Sequence, residues 1–258
     1  MVIDSPTHIF EEYIQQAQKL DLTPELSFIE LCRFVFSHCY ERNTLSLADV
    51  DGIIPIAWEV KNYFDKNKLP DMRIFSQVYD HYLNQSIRDK TGSYYTPDYV
   101  IKYMIETSLI TYLSKKTTIE KECIYNFIYD KKSLSLEKIE QMLDALSAIS
   151  VLDLSCGTGL FLILAFEKIF YIKKKMLDLM NIRKDDYLIK KEILEQNLYG
   201  IDIQQYPIEI AKMTLLSMLY GPDENRLREV IKVNLHTGDS LTEEIPNKDG
   251  CLKYLILL

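Results

Sequence analysis

The chain has 258 residues, 47% of them hydrophobic and 26% charged, enough to bury a core as one large domain or one domain with a helical extension. A net charge of −8 argues against a stand-alone nucleic-acid binder but allows a local basic surface or a DNA-reading part on another segment. The five cysteines form no CxxC pair and no metal-type spacing with the four histidines, no basic-then-apolar leader opens the chain, and no apolar run approaches the roughly 20 residues of a membrane helix, so a reduced, cytoplasmic protein without metal or membrane is expected.

Residues 1–90 read as an all-helical region. Ile9, Phe10, Tyr13, Ile14, Ala17 and Leu20 recur at helical spacing behind a Ser5-Pro6 start. Thr23-Pro24-Glu25 repeats that start before Leu26 to Tyr40. Ser46 and Asp49 open a third helix, blurred by Gly52 and Pro55, and Asp71 opens a fourth carrying Ile74, Phe75, Val78, Tyr82 and Leu83. Cys32 and Cys39 share a helix face and read as small buried hydrophobes. The hydroxyl-rich turn Thr91-Gly92-Ser93-Tyr94-Tyr95-Thr96-Pro97 follows, with Thr96 expected to cap a helix that begins at Pro97 and runs past Leu109.

Residues 114–134 read as a charged, aromatic helix and loop, and Leu136 to Ala148 as an amphipathic helix. Ser150 to Leu154 is a strand. Gly159 to Lys175 is a helix, whose Lys173-Lys174-Lys175 run reads as a solvated, dipole-favoured end. Lys184 to Gln196 is helical, Leu198 to Ile203 a strand, and Pro207 to Tyr220 a helix stopped by Gly221-Pro222. Val230 to Leu235 and Lys253 to Leu258 read as further strands. This alternation predicts an α/β fold with a parallel sheet, in which ligands sit at the carboxyl ends of the strands. Asp153, Asp202 and Asp239 all fall at that edge.

Between the first strand and its helix lies Asp153-Leu154-Ser155-Cys156-Gly157-Thr158-Gly159, a glycine turn that lets the backbone approach a ligand closely. A nicotinamide fingerprint needs a third glycine where Leu162 stands, and no GxxxxGK[ST] P-loop occurs. S-adenosylmethionine (AdoMet) fits better. Asp202 is placed to accept both ribose hydroxyls, Ile203 to pack on adenine, and Asp239 to accept from the adenine amine. Asp153 and the Gly157 turn face the methionine.

Thr91 to Pro97 resembles the TGxYYTP-type turn, and Asp153 to Gly159 the DPxCGxG motif, of adenine-specific DNA amino-methyltransferases of restriction–modification systems. Gly200-Ile201-Asp202-Ile203 and Gly238-Asp239-Ser240-Leu241 are similar to that family's next two strand motifs. The resemblance covers about residues 75–258. It implies a Rossmann-like AdoMet-dependent methyltransferase sheet over residues 91–258 and methyl transfer to the exocyclic amine of adenine. It also implies cofactor contacts from Thr91, Tyr94, Tyr95, Thr96, Pro97, Asp153, Cys156, Gly157, Gly159, Asp202, Ile203, Asp239 and Leu241.

Leu154 replaces the family's usual proline, a change that a strand tolerates. The family's catalytic NPPY-type tetrapeptide is absent, so no catalytic residue is assigned and the methyltransferase domain reads as incomplete. DNA is expected to be engaged through parts missing from this chain, which by itself is not expected to hold duplex DNA tightly. The alternatives are a non-catalytic AdoMet-binding or scaffold subunit completed by a second polypeptide, and a small-molecule or protein methyltransferase. The heptapeptide argues against the last.

Overall fold

The structure is a computed structural model that describes residues 13, 15, 23–37, 72–79, 96–220, 231–242 and 254–256. In chain order its helices are α1 (Pro24–Phe36), α2 (Arg73–Val78), α3 (Asp98–Thr117), α4 (Lys121–Ile128), α5 (Leu136–Ser147), α6 (Leu160–Leu179), α7 (Asp186–Glu192) and α8 (Gln205–Tyr220). The strands are β1 (Ser150–Asp153), β2 (Leu198–Asp202), β3 (Leu235–Thr237) and β4 (Tyr254–Ile256). The helix starts expected at Ser5 and Ser46, the residues Thr91, Tyr94 and Tyr95, and the stop at Gly221 lie outside the described residues. No described helix is long and apolar enough to cross a membrane.

The chain packs as two compact units. One comprises Met1–Tyr95 with Gln205–Val230, the other Thr96–Gln204 with Ile231–Leu258. In the first unit the Thr23 hydroxyl caps α1 by accepting from the Leu26 amide at 3.3 Å, as the Thr-Pro-Glu start predicts. Phe28, Ile29, Cys32 and Val35 of α1 and Phe75 and Val78 of α2 are buried, and α8 packs against both helices. Arg33 of α1 fixes the α8 contact by donating from Nε to Glu209 at 2.9 Å.

The second unit is a Rossmann-like α/β sheet with helices packed on it. Its four described strands are all parallel, in the order β3-β2-β1-β4. Asp153 pairs with Gly200, and Asp202 with Thr237. Leu162, Ile163, Phe166 and Ile169 of α6 are buried, as are Ile105 and Leu109 of α3 and Met142 and Leu146 of α5. From β1 the chain winds outward to β2 and β3, then returns to place β4 on the other side of β1. That reversal puts a crevice at the carboxyl ends of the strands, where such sheets take ligands.

Four local expectations change. Pro97, not Thr96, occupies the N-cap position of α3, and its carbonyl accepts from the Val100 and Ile101 amides. The helix expected over 184–196 ends as a π turn, Ile193–Asn197, that swings Asn197 under the sheet. There the Asn197 amide donates to the carbonyls of Ser147 at 3.1 Å and Ile149 at 2.6 Å, just ahead of β1. The third strand starts at Leu235 rather than Val230 for a similar reason. Asn234 is buried, its side chain donates to the carbonyls of Leu194, Glu195 and Leu198, and its own carbonyl accepts from the Gly200 amide at 3.0 Å, so the paired strand runs from Leu235.

The lysine run is not a solvated helix end, because α6 continues to Leu179 and each lysine has its own task. Lys175 donates to the Phe127 carbonyl at 2.6 Å and so caps α4. Lys174 pairs with Asp186 at 2.8 Å. Lys173 is buried, with its ammonium 3.4 Å from Asn197 Oδ1 and 4.0 Å from Glu192. Burial pulls its pKa down to about 8, against the pull of Glu192.

Candidate functional site

β1 ends at Asp153, and the chain turns at once through Leu154 to Gly159 into α6. The turn is held from three sides. The Ser155 amide donates to Asp153 Oδ1 at 3.0 Å, the Cys156 amide to the Ile201 carbonyl at 3.0 Å, and the Gly157 amide to Asp202 Oδ2 at 2.8 Å. Gly157 and Gly159 have φ of +51° and +83°, conformations that L side chains rarely adopt. A Cβ on Gly157 would meet nothing within 4 Å, so the turn faces open space. Gly159 is the N-cap of α6 and supplies no side-chain cap, so the first-turn amides of the helix begin at the turn.

Gly200 fails the same test. A Cβ there would lie 2.7 Å from Leu235 Cδ2, 2.8 Å from Leu162 Cδ1 and 2.9 Å from Cys156 Sγ. The glycine lets α6 and the turn sit flush on β2. Gly200→Ala is expected to lower stability by about 1–3 kcal/mol through overpacking. A urea titration should show the lower midpoint with an unchanged slope, and an unchanged midpoint would mean that the three side-chain tips move aside freely.

Asp153 and Asp202 are both nearly buried, at 9% and 8% exposure, on adjacent strand ends. Asp202 has one backbone donor on each oxygen, the Gly157 amide on Oδ2 and the Gln204 amide on Oδ1 at 2.9 Å. A carboxylate has about four lone-pair sites, so it can still accept further hydrogen bonds while held in a fixed plane. Asp153 carries a single backbone donor. Burial pushes its pKa up to about 6, the Asp202 charge adds to the rise, and the Ser155 amide opposes it. The edge thus offers one carboxylate held in plane by two amides beside one that titrates near neutrality.

The third acid joins through the backbone, because the Gly238 amide donates to the Asp202 carbonyl at 2.9 Å. Asp239 is half-buried and accepts from the Leu241 amide at 3.0 Å. Ile203 and Leu241 stand exposed at the rim, and Thr96 and Pro97 are exposed at the start of α3. The Cys156 thiol faces Gly200, leaving its backbone to the turn. The structure therefore brings Asp153, Gly157 and Asp202 directly together, with Asp239 one backbone bond away. The sequence reading passed over Gly200 as a site-shaping residue, and the two asparagines as well. Each asparagine stands five residues before a strand-end acid, in Asn197-Leu198…Asp202 and Asn234-Leu235…Asp239, and that echo was the available signal.

Residues 129–235 match the family described as MmeI, DNA-methyltransferase domain. A protein of Methanocaldococcus jannaschii named as a type II restriction enzyme and methyltransferase is 31% identical over 193 residues, covering 65% of this chain and 16% of that protein. DNA methyltransferase A of Bacillus subtilis is 24% identical over 99 residues, covering 38% of this chain and 11% of that protein. The chain thus spans only a small part of the length of either relative. Strand β1, the glycine turn, Asp153 and Asp202 all fall inside the segment that is similar to the MmeI DNA-methyltransferase domain.

Proposed function

We propose that the domain binds AdoMet at the carboxyl edge of β1, β2 and β3 and supplies the donor side of a DNA adenine methyltransferase. The observation that carries this reading is the glycine turn clamped by Asp202 beside a nearly buried Asp153, with open space in front of Gly157. The donor set suits the cofactor. Asp202, held in plane by two amides, keeps acceptor capacity for a ribose diol. Asp153 offers a carboxylate to an ammonium, and the uncapped start of α6 offers amides to a carboxylate. Ile203 and Leu241 are apolar rim residues that an adenine ring would cover, and Asp239 is placed for its amine.

When bound, AdoMet supplies a methyl group on a positively charged sulfur. The chain's own residues fix the cofactor's two ends, so that the methyl is presented in one orientation. The family's acceptor side is an Asn-Pro-Pro-aromatic tetrapeptide, and none of the eight prolines here is followed by another. In this reading residues 1–258 hold the methyl donor, and adenine specificity rests on the family resemblance together with the heptapeptide.

Calorimetric titration of the chain with AdoMet and with its demethylated product tests the site. Asp202→Ala should lose at least roughly 1.5–3 kcal/mol of binding, the value of a charge-assisted hydrogen bond. Because Asp202 also anchors Gly157, the variant's thermal midpoint must be measured alongside. Equal affinity in wild type and variant would remove the ribose assignment.

A further inference from the structure

The described tyrosines with exposed rings all lie on three helices of the second unit that pack against one another: Tyr99 and Tyr103 on α3, Tyr125 and Tyr129 on α4 and its end, and Tyr171 on α6. Lysines alternate with them. Lys102 is exposed between the two α3 tyrosines. The Lys131 ammonium lies 4.5 Å over the Tyr125 ring, and that of Lys168 lies 5.1 Å over Tyr129 and 5.9 Å over Tyr171. A cavity of about 300 Å³ is lined by Lys102, Tyr129, Lys168 and Tyr171. A second, of about 870 Å³, is lined by Phe127, Lys131, Lys132 and again Tyr171. Sharing Tyr171, the two form a continuous strip from α3 along α6.

Some of these lysines are already engaged. Lys175 caps α4, Lys168 pairs with Glu106 at 2.5 Å, and Lys174 pairs with Asp186. Lys131 and Lys132 are exposed and form no ion pair among the described residues, and Lys102 sits at the mouth of the smaller cavity. Lys131 and Lys132 can meet an anion without breaking an existing ion pair, and Lys102, whose charge also acts on Glu106, adds a third cation at that mouth. Exposed aromatic rings beside ammonium groups, with Tyr99 and Tyr103 the most exposed, suit a partner that carries both π faces and regularly spaced negative charge. Single-stranded nucleic acid has that chemistry, since unpaired bases stack on aromatics whatever their sequence while lysines track the phosphates.

We propose that this tyrosine–lysine face is a contact surface for single-stranded DNA, with bases stacking on the exposed tyrosines and phosphates meeting Lys102, Lys131 and Lys132. It rests on the DNA reading above and uses none of the carboxylates or glycines of the cofactor site. Lys168 lies about 12 Å along the axis of α6 from its first residue, at roughly 1.5 Å per residue, so a strand following α6 leads toward the glycine turn.

Fluorescence anisotropy of the 258-residue chain with a labelled oligo(dT) of about 15 nucleotides at about 50 mM salt tests the surface. Saturable binding that weakens with added salt is expected. The triple variant Lys102→Glu, Lys131→Glu, Lys132→Glu should bind at least roughly tenfold more weakly. The double variant Tyr99→Ala, Tyr103→Ala should lose roughly fivefold or more. Both variants should keep the wild-type thermal midpoint and AdoMet titration, so failure of this surface and failure of the cofactor site read out separately. No binding by the wild type, unchanged affinity in the lysine variant, or equal affinity for a duplex of the same length would overturn the proposal. Equal affinity for polyglutamate of matched charge would do the same, and would assign the face to an acidic protein partner.

Discussion

Asn197→Ala is expected to destabilise the second unit by about 3 kcal/mol, although Asn197 is outside the cofactor site. Its side chain is fully buried, and two donors on one nitrogen satisfy the Ser147 and Ile149 carbonyls that lead into β1. Its oxygen is 3.4 Å from the buried Lys173 ammonium, whose remaining partner, Glu192, is 4.0 Å away and also accepts from Lys184 at 2.7 Å. Truncation therefore strands the buried Ile149 carbonyl, frees the half-buried Ser147 carbonyl and weakens the hold on a buried charge, and the first and last of these cost more than an ordinary hydrogen bond contributes. Asn234→Ala provides the comparison. It frees carbonyls of Leu194, Glu195 and Leu198 but leaves no buried ammonium, so a smaller loss of about 1–2 kcal/mol is expected. Urea unfolding of both variants decides the matter. A loss below about 1 kcal/mol at Asn197 would mean that water replaces the clip and that Lys173 is held by Glu192 alone.

Those asparagines also show where sequence reading stops. The alternation of strands and helices was legible because apolar runs of strand length and amphipathic runs of helix length announce a parallel sheet. The edge was legible because a carboxylate follows each run. Within the turn, the two glycines announced a sharp change of backbone direction, and Gly157 and Gly159 both have positive φ. What did not show was which partner each polar group would find. Lys173-Lys174-Lys175 looks like one charged end in the chain. In the fold, three successive residues point in three directions about the axis of α6, one into the protein, one to Asp186 and one to the end of α4. Likewise Asp202 reads as a ligand group waiting at a strand end. It proves to be a structural clamp as well, because its two oxygens hold Gly157 and Gln204. Gly200 was legible only as part of a strand motif, since the need for a glycine there comes from Leu162 and Leu235, residues distant in sequence.

The second large effect is expected at Asp153, with opposite signs for stability and binding. Its folded pKa of about 6 lies above the ordinary 3.8, so the folded state binds this proton more tightly than the unfolded chain does. A raised carboxyl pKa favours the fold fully only below 3.8. That contribution fades as pH rises toward 6, and above 6 the charged carboxylate costs about 3 kcal/mol, at roughly 1.4 kcal/mol per pH unit. Asp153→Asn retains an oxygen to accept from the Ser155 amide and removes both the charge and its repulsion with Asp202. The variant should therefore be more stable than wild type by about 2–3 kcal/mol at pH 7.5 and nearly equal to it at about pH 4. In the proposed site the same charge meets the cofactor's ammonium, so wild-type affinity for AdoMet should rise as pH increases through about 6, and the variant should bind weakly without that rise. A residue kept at a cost to the fold, and regained as binding, is the pattern expected of a functional group rather than a packing one. Thermal unfolding and calorimetry across pH 4.5–8 check both halves. A variant no more stable than wild type at pH 7.5 would show that Asp153 is well solvated, and undiminished affinity would move the ammonium contact to another group.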